Sequence, residues 1–111
     1  MSIDLTSTYT PAAWQALEHF PVQVESIELV DHSENVTYRV RARGGESDYV
    51  LRLHRQGYNS LRELECERKW ISALIEAGLS APCPLLTRDG AHFVPISISC
   101  TNENRYVGMT T

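Results

Sequence analysis

Apolar and polar positions alternate most cleanly in YVLRLHR, where Tyr49, Leu51 and Leu53 interleave with Val50, Arg52 and His54. A period of two belongs to a half-buried strand, with one row of side chains turned to a core and the other turned away. Two earlier stretches also read as strands: VESIELVDH, residues 24–32, and VTYRVRAR, residues 36–43. The polar link HSEN joins them. GGES follows the second, with Gly44 and Gly45 able to supply the positive φ of a hairpin turn. Three strands in succession on short turns predict an antiparallel meander.

Helical signals flank the meander. In TPAAWQALEHF, Thr10 suits an N-cap and Pro11 the first helical position, and Pro21 ends the run. Further on, Ser60 with Glu63 three residues later forms a capping box that opens LRELECERKWISALIEA. Gly78 suits a left-handed terminator, and Pro82 follows it. CPLL, HFVPISIS and RYVGMTT are further short strand candidates, with Arg88, Asp89 and Gly90 as a turn between the first two. Pro95 either breaks its strand or confines it to an edge. The expected fold class is α+β: an antiparallel sheet of roughly five strands with one main packed helix and a short N-terminal helix.

On a helical wheel, Leu64, Trp70, Ile71, Leu74 and Ile75 fall in one stripe, and Glu67 lies in its middle. Glu65 points the other way, and Glu63 is accounted for by the cap. The pattern therefore aims the Glu67 carboxylate inward. An unpaired buried carboxylate costs several kcal/mol, so it needs a partner. Arg52, central in the third strand, is the cation in reach, and the expectation is an Arg52–Glu67 ion pair. With Leu51 and Leu53 facing a core, Arg52 could otherwise simply face water.

Composition narrows the function classes. Apolar residues make up 42% of the 111 and charged residues 22%, which is ordinary for one globular domain. The net charge of −4 argues against a nucleic-acid backbone or an anionic membrane as partner. No apolar run reaches the length of a membrane span, and the first ten residues lack signal-peptide character. Cys66, Cys83 and Cys100 stand far apart, and an odd number cannot pair fully within one chain. Reduced thiols and a cytoplasmic location are the simplest reading. No pair among these cysteines and His19, His32, His54 and His92 has metal-ligand spacing, so no metal site is assigned.

The order of elements, strand, polar turn, strand, hairpin, strand with a central cation, then a helix with an inward Glu, resembles the N-terminal lobe of the protein-kinase-like fold. SENVTYRV, YVLRLHR, ELECERKWISALIEAGLSAPCPL and TRDG are similar to the aminoglycoside phosphotransferase and choline kinase family. The likeness runs over roughly residues 10–111. It implies one lobe, with residues 1–24 as a helical extension and 25–111 as sheet plus helix. It implies that Arg52 meets nucleotide phosphates and that Glu67, matched through EAGLSAP, holds it. Ser33, Glu34 and Asn35 fall where the family folds a loop over the nucleotide. Val50 and Thr37 are expected to line the adenine side, with Met109 and Thr110 near the hinge. ATP or GTP with Mg is the cofactor implied for a full-length protein. The acceptor would be a small-molecule hydroxyl.

Two departures matter. Many members carry Lys where this chain has Arg52, but a guanidinium can still bridge a carboxylate and phosphate oxygens. The larger one is that no H-x-D-x-x-x-x-N and no D-x-D or D-F-G-like element occurs. No catalytic residue is therefore assigned, and the expectation is a nucleotide-binding lobe that is inactive alone, without its C-terminal catalytic lobe. The alternative is a non-catalytic interaction or oligomerisation module. On that view YVGMTT is an edge strand, and Ile96, Ile98, Tyr106, Val107 and Met109 form an exposed apolar patch that favours another copy of the chain.

Overall fold

The computed structural model describes the chain except residues 1–4, 33–34, 45–47, 55–60, 80–81 and 99–100, and except the side chains of residues 5–7 and 32. The elements are α1 (Leu5–Leu17), β1 (Val24–His32), β2 (Val36–Ala42), β3 (Asp48–His54), α2 (Leu61–Glu76), β4 (Val94–Ile98) and β5 (Glu103–Thr110). The strands form one antiparallel sheet in the order β1-β2-β3-β5-β4. The α+β class and the opening meander are those the periodicity predicts. Of the predicted link HSEN and turn GGES, residues 33–34 and 45–47 lie outside the described residues, and Gly44 has φ 96°.

The pleat sorts the side chains. Val36, Tyr38 and Val40 of β2, Leu51 and Leu53 of β3, Val94, Ile96 and Ile98 of β4, and Val107 and Met109 of β5 are all buried in one core. α1 covers this face with Tyr9, Ala12, Ala13, Ala16 and Leu17, and Phe20 follows just beyond. Three alanines on the inner stripe let the helix lie close to the strands. Burying a side chain such as Phe20 or Leu51 contributes about 1.5–3 kcal/mol. The N-terminal helix is thus a wall of the core.

α1 starts a turn and a half before Pro11, so Thr10 does not cap it. The physical reason is Tyr9, whose burial needs the helix to extend that far back. Thr10 Oγ1 instead hydrogen-bonds with Tyr38 Oη at 3.0 Å. A charged clasp holds the same turn to β5. Tyr9 Oη donates to Glu103 Oε1 at 2.9 Å, Arg105 Nε donates to Glu103 Oε2 at 2.6 Å, and the Arg105 guanidinium lies 5.1 Å from the centre of the Tyr9 ring. Burial alone would raise the Glu103 carboxyl, but the hydrogen bonds from Arg105, Tyr9 and Thr101 outweigh it and hold the group below its ordinary range.

The end of α2 is as predicted. Gly78 has φ 89°, its N–H donates to Ile75 O at 3.0 Å, and Leu79 N–H donates to Leu74 O at 3.0 Å. This pair of bonds is the Schellman arrangement, which only a residue free of Cβ strain enters readily. The helix begins at Leu61 with Glu63 in its first turn, and Ser60 lies outside the described residues. Pro95 sits on β4, an edge strand, where its missing N–H costs no ladder bond. The Arg88, Asp89, Gly90 turn is closed by Gly90 N–H donating to Thr87 O at 3.0 Å.

The expected apolar patch does not exist. β5 is not an edge: it is inserted between β3 and β4. β4 pairs with β5 only as far as Val107, and the stretch predicted as the strand CPLL continues the cover. It does so with a single bridge, Pro84 to Thr110, and with Leu85 N–H donating to Met109 O at 2.9 Å. Ile96, Ile98, Val107 and Met109 are buried beneath α1, and Tyr106 is half-buried. Closing the sheet around β5 satisfies its backbone on both sides, so β5 itself offers no free edge to a second copy. Val107→Glu is accordingly expected to unfold the chain, since it places a carboxylate without a partner at a fully buried central-strand position, at a cost of several kcal/mol. Loss of the cooperative thermal transition in circular dichroism checks this. A folded variant with wild-type melting would contradict the placement of β5.

Candidate functional site

The second face of the sheet carries the site. Residues directly opposite across a ladder share a face. Thr37 pairs with Arg52 and Arg52 with Gly108, which makes one row across β2, β3 and β5. Arg39, Val50 and Thr110 make the next row. Arg52 is therefore turned away from Leu51 and Leu53, as alternation requires, and it is exposed. α2 lies over this face, and a small cleft of about 60 Å³ is lined by Arg52, His54, Leu64, Glu67, Arg68 and Phe93 among others. Thr110 reaches the same cleft.

α2 is turned differently from the wheel's expectation. Leu64 and Arg68 are its buried residues, whereas Glu67 is exposed and Trp70 is 66% exposed. Arg52 and Glu67 line one cleft, yet they do not form an ion pair. The reason is Arg68, one residue or ~100° further round the helix. Its guanidinium carbon stacks 5.1 Å from the centre of the Phe93 ring. A wheel scores arginine as polar, but its long stem and planar head can pack like an apolar group.

Gly108 makes room for this stack. A Cβ there would lie 2.6 Å from Phe93 Cε1 and 2.7 Å from Arg68 Nη2. His54, also on this face, meets Phe93 edge-on, with ring centres 5.5 Å apart and planes at 74°. Burial, reinforced by the Arg68 and Arg52 guanidinium groups, pushes the His54 pKa down to about 4. The imidazole is neutral at pH 7, and its buried Nε2 has no hydrogen-bond partner. The positive charge of the cleft rests on Arg52 and Arg68, with the Glu67 carboxylate at its rim.

The other predicted site residues divide. Val50 and Thr37 are half-buried on the cleft face, and Thr110 is buried there at the end of β5. Met109 is not on this face. It pairs with Leu51, points into the core under α1 and is 1% exposed, so only its carbonyl, bonded to Leu85 N–H, is near the chain's end segment. Asn35 is half-buried immediately before β2, and Ser33 and Glu34 lie outside the described residues. Arg68, His54, Phe93 and Gly108 are the site residues that pattern reading missed. The one sequence signal was Gly108 itself, since a lone glycine inside a strand marks a close approach.

Two measurements test this geometry. Gly108→Ala is expected to destabilise the chain by about 1–3 kcal/mol, because the buried Phe93 ring must shift and not only the guanidinium; a denaturant midpoint unchanged from wild type would refute the close approach. His54 is neutral when folded but protonates near its ordinary 6.5 when unfolded, so stability is lost as pH falls from about 6.5 toward 4. His54→Gln is expected to flatten that acid limb. An identical pH profile would show that His54 is not held neutral.

No protein-family model matches the chain, and no curated protein does. Among solved structures, it is similar to a microcompartment-associated aminopropanol kinase, with a TM-score of 0.77 and 34% identity over 91% of this chain. It is also similar to an amicoumacin kinase in complex with AMP-PNP, Ca2+ and Ami, with a TM-score of 0.72 and 19% identity over 97% of this chain. The second likeness speaks for the fold alone. The chain spans about 30% of the length of each of these kinases. The meander, the helix laid over Arg52 and the central β5 thus form a kinase-like N-lobe fold, shared with part of these small-molecule kinases.

Proposed function

We propose that this chain is the nucleotide-binding lobe of a phosphotransferase that moves the γ-phosphate of ATP or GTP to a small-molecule hydroxyl. The observation that carries the reading is the row Thr37, Arg52, Gly108, which sets a guanidinium on the open side of the sheet under α2. A cation there can meet phosphate oxygens through a planar fork of donors. Val50, Thr37 and Thr110 offer half-buried or buried surface beside it for the base. Ser33, Glu34 and Asn35 are the candidates for the loop over the phosphates. Glu67, at the rim of the same cleft, is placed to hold Arg52 once the helix turns by a fraction of a turn.

Phosphoryl transfer also needs metal ions across the phosphates and a residue that orients the acceptor. Among the described residues no three His, Cys, Asp or Glu side chains converge, so no step is assigned to a metal held by this chain. Residues of a second lobe are proposed to supply those parts and the acceptor pocket. A compartment is proposed only as far as the thiols suggest the cytoplasm: Cys66 and Cys83 are free and exposed. Among the described residues no helix is long and apolar enough to cross a membrane. The interaction-module alternative rested on the apolar patch, and its residues form the core or are half-buried.

The cleft is far smaller than the roughly 300–1,000 Å³ of a complete ligand pocket. Binding by residues 1–111 alone is therefore expected to be weak, with a dissociation constant near ~1 mM, or about −4 kcal/mol. Titration with ATP, followed by amide resonances, is expected to move Thr37, Val50, Arg52 and Thr110 together. Saturable micromolar binding would mean a self-sufficient site. Unmoved resonances at these four positions would remove the nucleotide reading.

A further inference from the structure

Two arginines are buried among the described residues, and their circumstances differ. Arg105 is 8% exposed and Arg68 is 6% exposed. Each lies 5.1 Å from the centre of an aromatic ring, Arg105 over Tyr9 and Arg68 over Phe93. Arg105 has acceptors: Nε donates to Glu103 Oε2 at 2.6 Å and Nη1 to Leu53 O at 3.2 Å. Arg68 has no hydrogen-bond or ion-pair partner among the described residues. Its neighbour Glu67 acts on it only through space, favouring the charged form, while burial and Arg52 oppose it.

The Arg68 side chain is buried and its guanidinium meets no acceptor among the described residues, which leaves its donors to water or a ligand. Arg68 lines the cleft that Arg52 also lines. His54, in the same cleft, has a buried Nε2 without a partner. Two cations on one small cleft repel each other, and a ligand of opposite charge is what relieves both. Glu67 alone leaves one positive charge in excess there.

We propose that Arg68 is a second anion-binding residue, which with Arg52 clamps the phosphate chain of the nucleotide between two guanidinium groups. This rests on the nucleotide-lobe reading above and extends it: the family resemblance assigns the task to Arg52, and the burial of Arg68 without an acceptor adds the second clamp. Two planar forks on different elements select a chain of phosphates over a single carboxylate, because each can hold two oxygens of a different phosphate. Phe93 and Gly108 set the angle of the Arg68 fork, the ring by stacking and the glycine by leaving space. α2 is thereby tied to the sheet by the ligand, since Arg68 stands on the helix and Arg52 on β3.

The test uses the 111-residue chain and magnesium-free tripolyphosphate, with ATP in a parallel arm and arginine Nε–H resonances as the readout. Both Arg52 and Arg68 resonances are expected to shift along one saturation curve in each arm. Arg52→Met and Arg68→Met are each expected to weaken binding at least tenfold, and Arg43→Met, on an exposed turn, to leave it unchanged. Arg68→Lys keeps the charge and loses the fork, so an intermediate loss is expected. Should Arg68→Met fail to fold, the lysine variant and the wild-type resonances decide. If Arg52 shifts and matters while Arg68 neither shifts nor matters, the proposal is overturned and the nucleotide-lobe reading stands. If neither arm moves either arginine, both fall together.

Discussion

The pairing of β5 with β3 is the constraint on which the rest of this lobe depends. It brings Val107 and Met109 beside Leu53 and Leu51 on the face that α1 covers, and Gly108 beside Arg52 on the other. One ladder therefore fixes the core and the cleft at once, because side chains alternate strictly across a pleated strand. A slip of one residue would put Gly108 in the core and Val107 over the arginine. The core makes that slip costly, and the position of the cleft is stable for the same reason.

Once that register is set, the open face is organised by the absence of a side chain. Gly108 lets the Phe93 ring and the Arg68 guanidinium come within contact of the backbone. α2 then meets the sheet through Leu64 and Arg68, a far lighter attachment than the apolar stripe of α1. Leu61, Ile71, Leu74 and Ile75 add half-buried apolar surface along the helix.

The two faces are thus held by different physics. Beneath α1, apolar burial dominates, and the polar groups that enter, Tyr9, Glu103 and Arg105, satisfy one another. Beneath α2, the buried Arg68 side chain meets an aromatic ring and no carboxylate, and the buried Nε2 of His54 has no partner. Buried polar groups in folded proteins are nearly always paired, and an exception calls for an explanation such as a functional role or a bound ion or water. The contrast within one small sheet is stronger support for a binding face than the volume of the cleft.

Much of this was legible in the sequence. Period two in β2 and β3, the Gly78 terminator and the confinement of Pro95 to an edge all follow from local sterics, which short stretches of sequence encode by themselves. The position of Arg52 opposite the core followed from the same alternation. What failed were judgements about which long-range partner each element would find. α1 runs back through Pro11 because Tyr9 is wanted in a core made by distant strands. β5 is central and not an edge because β4 and Pro84 come to it from elsewhere in the chain. The face of α2 was misread because a wheel weighs hydrophobicity, whereas packing weighs shape, and an arginine stem over Phe93 and Gly108 fits where Trp70 does not. The sequence by itself determined the elements, their ends and the side of the strand on which the cation stands. Only the tertiary structure decided what faces that cation, because that depends on surfaces made by residues far apart in the chain.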